Sequence, residues 1–200
     1  MSKPFSQSCE NNKHPILQVI QTIFVESHTV WEIGSGTGQH ACYFAQHLPH
    51  ISWQTTDREK NISGINSWIE ESGLPNLPTS IILDVADKHW SCQKIDALFT
   101  ANTLHIMSWT EVECLFAGLA KYLSKNAYVC IYGPFNYYGR YTSVSNEQFD
   151  QWLKMNDPLS GVRNFESIEK LAKTANLIIK HDFAMPANNR LLVFQCHHNE

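Results

Sequence analysis

Residues 30–38 read Val-Trp-Glu-Ile-Gly-Ser-Gly-Thr-Gly, a short stretch that ends in three glycines on alternate positions. The residues from Thr29 to Ile33 predict a strand, and the segment from Gln39 to His47 predicts a helix. Because glycine has no Cβ, the turn between them can adopt positive φ angles and let a flat ligand approach the backbone. The stretch therefore predicts a ligand-binding turn, although tight turns also use glycine for steric reasons alone.

The spacing of the glycines indicates which ligand this turn would take. A dinucleotide site has the pattern G-x-G-x-x-G, and its third glycine would fall here at residue 39, which is Gln. Glu32 stands just before the turn, where a carboxylate could take the ammonium group of a ligand. S-adenosylmethionine (SAM) carries an ammonium group and no phosphate, so the pattern favours SAM over a dinucleotide.

Two aspartates end the next two predicted strands. Asp57 follows the strand at 51–56, and Asp84 follows the strand at 80–83. In a doubly wound sheet the carboxyl ends of these strands lie beside the glycine turn. There Asp57 would accept hydrogen bonds from both ribose hydroxyls, and Asp84 would pair with the adenine amine. Either aspartate alone is more often a helix cap or a solvated loop residue, but their order along the chain favours a nucleoside site.

Composition limits the classes of function. The chain has 200 residues, which suits one domain, and a formal net charge of −4 with 17% charged residues. No run of Lys or Arg offers a nucleic-acid surface, and no apolar stretch approaches the roughly 20 residues that span a membrane. The six cysteines and ten histidines lack metal-site spacing, so no metal is expected. We expect a cytoplasmic protein that binds neither nucleic acid nor membrane.

Strand-like runs alternate with helical periods along the chain, which predicts an α/β fold. The closing pair of strands is joined so tightly that it must be antiparallel. The prediction is a Rossmann-like seven-stranded sheet, with five parallel strands, a terminal antiparallel hairpin and helices on both faces. Pro15 is expected in the first turn of its helix, and Thr110 at an N-cap. The predicted strands are 29–33, 51–56, 80–83, 95–101, 127–132, 177–183 and 190–196, and the predicted helices are 15–26, 39–47, 63–72, 110–124, 146–155 and 166–176.

One segment, residues 133–163, breaks the alternation within the single predicted domain of residues 1–200. It is rich in aromatic residues, which argues against disorder, and a segment this long inside a compact domain is functional or disordered. It begins at the carboxyl end of the fifth strand, where open α/β sheets bind their ligands. We therefore expect residues 133–163 to form a lid over a substrate.

These motifs resemble those of a known class of enzymes. The segments Glu32–Gly38 and Asp96–His105, with Asp57 and Asp84, are similar to successive motifs of class I SAM-dependent methyltransferases. More narrowly, the chain resembles the family known as domain of unknown function 938, or methyltransferase-like 26. The segments that carry the narrower resemblance are 5–6, 10–16, 132–136, 146–153 and 157–166. The resemblance spans essentially the whole chain and implies the class I fold and SAM binding, but no particular methyl acceptor.

Methyl transfer also needs groups that align the acceptor and remove its proton. His105 is the best candidate base, because it follows the fourth strand and its ordinary pKa of about 6.5 suits proton removal near neutrality. Packing against Trp109 is the alternative role for this histidine. Asn102 lies closer to the same strand end and would line the methionine portion or the reacting centre. The residues expected to contact SAM are Glu32, Gly34, Ser35, Gly36, Gly38, Asp57, Asp84 and Asn102.

The predicted lid offers Tyr138 and Arg140 as further catalytic candidates, with Arg163 at its far end. An arginine there could clamp a carboxylate or phosphate of the acceptor. These arginines could equally well form an ion pair with Asp150, Asp157 or Glu166. Asn12 could act at the site or as the N-cap of the first helix.

The sequence thus predicts a SAM-dependent methyltransferase that acts on a small-molecule acceptor. Two alternatives remain open: a non-catalytic module that binds SAM or S-adenosylhomocysteine and acts through a protein partner, and a protein methyltransferase. A nicotinamide oxidoreductase is disfavoured by Gln39 and by the antiparallel hairpin. The acceptor atom and the oligomeric state are left open.

Overall fold

The computed structural model describes residues 3–91 and 94–197. Its centre is a seven-stranded sheet of order β3-β2-β1-β4-β5-β9-β8. β1 to β5 pair in parallel, whereas β9 is antiparallel to both β5 and β8. The predicted fold class is confirmed. In chain order the strands are β1 Thr29–Ile33, β2 Ser52–Asp57, β3 Ile81–Ile82, β4 Ile95–Ala101, β5 Leu123–Gly133, β6 Phe135–Asn136, β7 Arg163–Asn164, β8 Leu177–Met185 and β9 Asn189–Cys196, of which β6 and β7 form a separate parallel pair.

Helices cover both faces of the sheet. Side chains alternate between the faces along a strand, so Leu98 and Phe99 of β4 enter two different apolar clusters. The cluster that contains Phe99 includes α1, α2 and α3, and the cluster that contains Leu98 includes α4 and α6. The helices are α1 Gln7–Ile23, α2 Gln39–His47, α3 Glu59–Ser72, α4 Trp109–Tyr122, α5 Val144–Asn156 and α6 Phe165–Thr174.

α1 begins eight residues earlier than the prediction placed it. Its N-cap is Ser6, whose hydroxyl accepts a hydrogen bond from the backbone of Cys9 at 3.4 Å, so Asn12 is not the cap. Pro15 lies inside the helix instead of in its first turn. Proline disfavours the preceding turn of a helix, but contacts of Glu10 and Asn12 with α2 hold those residues in place.

α4 begins at a different cap from the predicted Thr110. Ser108 is the N-cap, and it forms a capping box with Glu111. The Ser108 hydroxyl accepts from the Glu111 backbone at 3.2 Å, and the Glu111 carboxylate accepts from the Ser108 backbone at 2.7 Å. The Ser-x-x-Glu spacing is the sequence signal of this motif, and it outweighs a lone threonine two residues later.

None of the helices within the described residues is both long and apolar enough to cross a membrane. The longest, α1, has 17 residues and contains Glu10 and Lys13.

Candidate active site

A cavity of about 890 Å³ lies at the carboxyl edge of the parallel strands. Small-molecule sites in proteins commonly occupy about 300–1,000 Å³, so this cavity can hold a nucleoside cofactor together with a small second molecule. Its walls come from His40 and from residues within the segments 4–12, 33–37, 57–61, 83–85, 101–107, 132–134, 145–149 and 186–189.

The glycine turn forms the floor of the cavity beside β1. Gly34 and Gly36 have positive φ angles of 71° and 60°. A Cβ on Gly34 would lie 2.7 Å from the Thr103 side chain, so this position must be glycine for the turn to pack against the segment after β4. A Cβ on Gly36 would meet nothing within 4 Å. The backbone at Gly36 is therefore open to a ligand, as predicted for a site of close approach.

Gly38 was predicted to contact the cofactor, but it does not line the cavity. It is the N-cap of α2, with φ of 89°. A Cβ there would lie 3.2 Å from the Ile65 backbone and 3.3 Å from Trp68. Gly38 therefore allows α2 to pack closely on α3, and its contribution to the site is indirect.

Glu32 is also absent from the lining of the cavity, contrary to the predicted contact with a ligand ammonium group. Its side chain is 2% exposed and lies beneath the turn. The carboxylate accepts hydrogen bonds from the Ser35 hydroxyl and the Trp53 indole, both at 3.1 Å. Burial raises the pKa of Glu32 to about 7. Ser35 lines the cavity, but its hydroxyl is directed to this carboxylate, so Glu32 and Ser35 together brace the turn.

We predict that Glu32→Gln stabilises the protein at alkaline pH. The raised pKa of Glu32 means that the folded protein keeps a proton between about pH 4.5 and 7 that the unfolded chain releases, so stability falls as pH rises through this range. Glutamine cannot titrate, yet its carbonyl can accept both hydrogen bonds. At pH 8 the variant should gain about 2–3 kcal/mol in the free energy of unfolding, measured by urea unfolding, with no gain at pH 4.5.

The same variant separates a bracing role from a ligand contact. If Glu32 only braces the turn, the affinity of the Gln variant for S-adenosylhomocysteine at pH 6 should stay within about threefold of the wild type. A tenfold loss of affinity without the gain in stability at pH 8 would show instead that the carboxylate binds the ligand.

Asp57 lies at the end of β2 and lines the cavity, as predicted. One carboxylate oxygen accepts from the Gly36 backbone at 2.7 Å. The other accepts from the Arg58 backbone at 2.7 Å and from the Asn61 side chain at 2.8 Å. Carboxylate oxygens have about four lone-pair sites, so Asp57 fixes the turn and can still accept hydrogen bonds from a ligand.

Asp84 is not part of the cavity lining, whereas its neighbours Leu83 and Val85 are. Its carboxylate lies 3.3 Å from the Arg58 guanidinium and accepts from the Ala86 backbone at 2.9 Å. The predicted contact with an adenine amine is therefore replaced by an ion pair. The two flanking apolar side chains are the ones that face the cavity.

Asn102 and His105, the candidates after β4, both line the cavity. Asn102 has a positive φ of 57°, and its backbone donates to the Tyr132 carbonyl at 2.9 Å. Non-glycine residues in this conformation are strained and cluster at functional sites. The ring of His105 contacts Phe149 edge to face at 5.2 Å, so its aromatic partner is Phe149 and not the predicted alternative, Trp109.

His105 is neutral at physiological pH. Its side chain is 5% exposed, and burial, together with the positive charge of Arg163, lowers the pKa of His105 to about 4. A neutral imidazole can accept a proton or a hydrogen bond from a ligand, but it is a weaker base than the ordinary pKa of histidine suggests. The histidine is in position for the predicted role with a lower basicity than expected.

Tyr138 and Arg140, the predicted catalytic candidates, do not line the cavity, so the structure does not bring them to the site. Tyr138 is 85% exposed and has a positive φ of 51°. The backbones of Tyr137 and Arg140 bond to each other in a turn that projects to solvent. Arg140 forms no ion pair with any residue in the described part of the chain. The pairing of β6 with β7 redirects this part of the segment away from the cavity.

The Arg163 side chain is held by hydrogen bonds to backbone carbonyls. Its guanidinium donates to the carbonyls of Leu104 at 2.9 Å and Leu159 at 3.1 Å, and also to that of Met107. It does not line the cavity, so the predicted alternative of clamping an acceptor is not seen. Arg163 instead ties the end of the 133–163 segment to the loop that carries His105.

Two other parts of the 133–163 segment, its start and helix α5, do reach the cavity. Pro134 lines it, and α5 contributes Ser145, Asn146 and Phe149. Asn146 is buried, and its amide donates to the Thr142 hydroxyl at 2.8 Å and the Asn188 carbonyl at 3.0 Å. These bonds hold α5 against the hairpin loop at 186–189, whose residues also line the cavity.

A buried polar chain at the cavity wall was not predicted. His40 lies in the first turn of α2, and its Nε2 is 2.6 Å from the Asn12 side chain. Asn12 in turn lies near the hydroxyl of Tyr132 of β5, whose pKa it lowers against the rise caused by burial. All three residues are buried and line the cavity. Polar residues on the otherwise apolar faces of α1 and α2 are the sequence signal, which could be read only once α1 was known to begin before Asn12.

The sheet order, the terminal hairpin and the glycine turn with Asp57 define the fold of class I methyltransferases. Residues 3–196 match the family model described as Protein of unknown function (DUF938), and the chain belongs to that family.

Solved structures of other proteins have a similar fold. An O-methyltransferase family protein from Burkholderia thailandensis matches with a TM-score of 0.80 and 16% identity, over 94% of this chain and 57% of that one. An O-methyltransferase family 2 protein from Planctomyces limnophilus, solved in complex with apigenin, matches with a TM-score of 0.79 and 14% identity, over 92% and 57%. The YcgJ protein from Bacillus subtilis matches with a TM-score of 0.73 and 12% identity, over 93% and 100%.

At these identities the likeness shows the fold alone. The chain spans 57% of the length of the first two proteins, and it matches the third over that chain's whole length.

Proposed function

We propose that this protein is a SAM-dependent methyltransferase that acts on a small-molecule acceptor. The observation that carries the proposal is the extent of one cavity. It joins the open backbone at Gly36 and the carboxylate of Asp57 to His105 and Phe149, which lie beyond β4. A site for a nucleoside cofactor thus opens directly into space for a second molecule, beside a residue that can accept a proton.

The residues at the glycine turn fit SAM. The Gly34–Gly36 backbone would lie under the cofactor, Asp57 would accept from the ribose hydroxyls, and Leu83 and Val85 would contact the adenine. Asn102 would face the methionine portion. When bound, SAM supplies a methyl group on a positively charged sulfur, which a nucleophile of the acceptor can displace.

The residues beyond β4 would prepare the acceptor for this displacement. Phe149 and Asn146 of α5 line the cavity and would shield a bound acceptor from water, which would strengthen the remaining polar interactions. The neutral His105 imidazole would accept a hydrogen bond from the acceptor and take its proton as the new bond to the methyl carbon forms. Because burial lowers the pKa of His105 to about 4, transfer of this proton would accompany methyl transfer instead of preceding it.

Oxygen is the acceptor atom that we propose. The similar structures include an O-methyltransferase family protein and a second one in complex with apigenin, and a hydroxyl suits a neutral histidine as its hydrogen-bond partner. We further propose that residues 133–163, through α5, form the lid of a single domain, and that the chain is related to methyltransferase-like 26 proteins.

The test is transfer of an isotope-labelled methyl group from SAM into a cell extract, followed by separation of small molecules from macromolecules. We expect label in the small-molecule fraction. Asp57→Ala is the control: it removes the ribose hydrogen bonds, so its affinity for SAM should fall by about 1–2 kcal/mol, measured by calorimetry, and labelling should fall with it.

Each other outcome would indicate a different function for this protein. Label in the protein fraction would make this a protein methyltransferase. SAM binding without any transfer would favour the non-catalytic binding module. Absence of SAM binding would overturn the proposal.

A further inference from the structure

Charge is distributed unevenly around the cavity. Apart from histidines, the acidic and basic side chains among the described residues of the lining are Asp57, Arg58 and Lys60, which lie at the end of β2 or just after it. The wall beyond β4 consists of apolar, hydroxyl and amide groups together with His105. Burial keeps His105 neutral at pH 7. A charged group buried without a partner is strongly disfavoured, so this half of the cavity suits an uncharged molecule.

An aromatic path leads from this half of the cavity to the surface; it consists of His105, Phe149 and Trp152. His105 and Phe149 meet edge to face, with ring centroids 5.2 Å apart. Phe149 and Trp152 are stacked, with centroids 5.9 Å apart and an interplanar angle of 13°. Exposure rises along the path from 5% at His105 to 55% at Trp152. Aromatic surface is therefore continuous from the buried centre to solvent.

Apolar side chains continue beyond the end of the aromatic path. Met155 is exposed three residues after Trp152, so the two lie on the same side of α5. Ile106 is exposed as well, and it lines the cavity. Exposed apolar side chains that form a contiguous surface commonly mark a binding site. Because Ile106 and Phe149 line the cavity and Phe149 stacks on the exposed Trp152, an occupant that also fills the cavity explains these exposed side chains better than a protein partner does.

We propose that the acceptor is an uncharged aromatic molecule with an apolar extension that leaves the cavity along the aromatic path. The ring lies in the cavity against His105 and Phe149, and the extension covers Trp152 and Met155. The assignment of this molecule as a methyl acceptor rests on the proposed function, whereas its binding does not.

The test uses a series of 4-alkylphenols with ethyl, butyl and hexyl chains. Dissociation constants are measured by calorimetry on the full chain, with and without saturating S-adenosylhomocysteine. Burial of a methylene contributes enough to tighten binding about fourfold, so the wild type should approach this dependence for each added methylene. Trp152→Ala should lose most of the dependence on chain length. Ile178→Ala, which truncates an exposed apolar side chain on β8, should retain it.

A charged analogue tests the proposal that the molecule in the cavity is uncharged. 4-Butylbenzoate, which places a carboxylate on the ring itself, should bind at least tenfold more weakly than 4-butylphenol. Equal or tighter binding of this anion overturns the proposal, and so do a flat wild-type series, an unchanged series in Trp152→Ala or no binding by any phenol. If light scattering instead shows a dimer that Trp152→Ala dissociates while the series is unchanged, the exposed surface is a subunit interface.

The two proposals can fail separately. Loss of the proposed function appears as absence of S-adenosylhomocysteine binding or of methyl transfer, whereas the phenol series measured without S-adenosylhomocysteine reports on the aromatic path alone.

Discussion

Gly118→Ala should destabilise the protein by about 2 kcal/mol, even though alanine is the better helix residue. Gly118 lies in α4 beneath the indole of Trp90, and a Cβ there would be 2.2 Å from one ring carbon and 2.5 Å from another. Trp90 is buried and stacked on Tyr122, with centroids 5.4 Å apart, so the ring has little room to move. Overpacking a core commonly costs 1–3 kcal/mol and occasionally more, which exceeds the gain of about 1 kcal/mol in helix propensity. Urea unfolding measures the difference.

A double-variant cycle assigns this cost to the contact with Trp90. Trp90→Leu alone should also destabilise the protein, because it leaves a void. In the Trp90→Leu background, however, the alanine at 118 has space, so its cost should shrink by at least about 1.5 kcal/mol, within the range of coupling energies between residues in contact. A neutral effect of Gly118→Ala in the wild type would show that the indole does not pack on this glycine.

The local sequence pattern was enough to predict the helices and strands whose ends are fixed by nearby residues. The structure places β1 at Thr29–Ile33, α2 at Gln39–His47 and β4 at Ile95–Ala101, as predicted. The glycine turn separates the first two, so one local signal fixes both boundaries. α1 differs because its first turns depend on bonds between residues 28 or 29 positions apart, from Asn12 to His40 and from Glu10 to Gln39. No local periodicity contains that information.

The candidate site also contains some residues that the sequence could predict and others whose positions depend on packing. Asp57 and Gly36 were predicted because strand order alone brings them to one edge of the sheet. The direction of a side chain around a turn depends on packing, which is why Glu32 lies beneath the turn instead of at its mouth. Tyr138 and Arg140 lie outside the cavity because a two-residue pairing of β6 with β7 redirects the chain. Such a short pair leaves no recognisable pattern in the sequence.

Gly36→Ala should abolish most of the affinity for SAM and leave the fold intact. A Cβ at Gly36 meets no atom within 4 Å, and the residue lines the cavity. The added methyl group therefore occupies space that the protein leaves to its ligand. A steric conflict of this kind is expected to cost about 2–3 kcal/mol, which weakens the affinity for SAM roughly 30- to 150-fold. Calorimetry with S-adenosylhomocysteine measures the loss.

Gly73→Ala is the matched control for backbone strain. Gly73 has a φ of 59°, close to the 60° of Gly36, and a Cβ there also meets nothing within 4 Å, but it caps the end of α3 and does not line the cavity. Each alanine should therefore lower the free energy of unfolding by about 1–2 kcal/mol, the cost of a left-handed conformation. Only the alanine at 36 should also weaken cofactor binding. Equal affinities in the two variants would mean that the cofactor does not lie over the glycine turn, and the proposed site would be wrong.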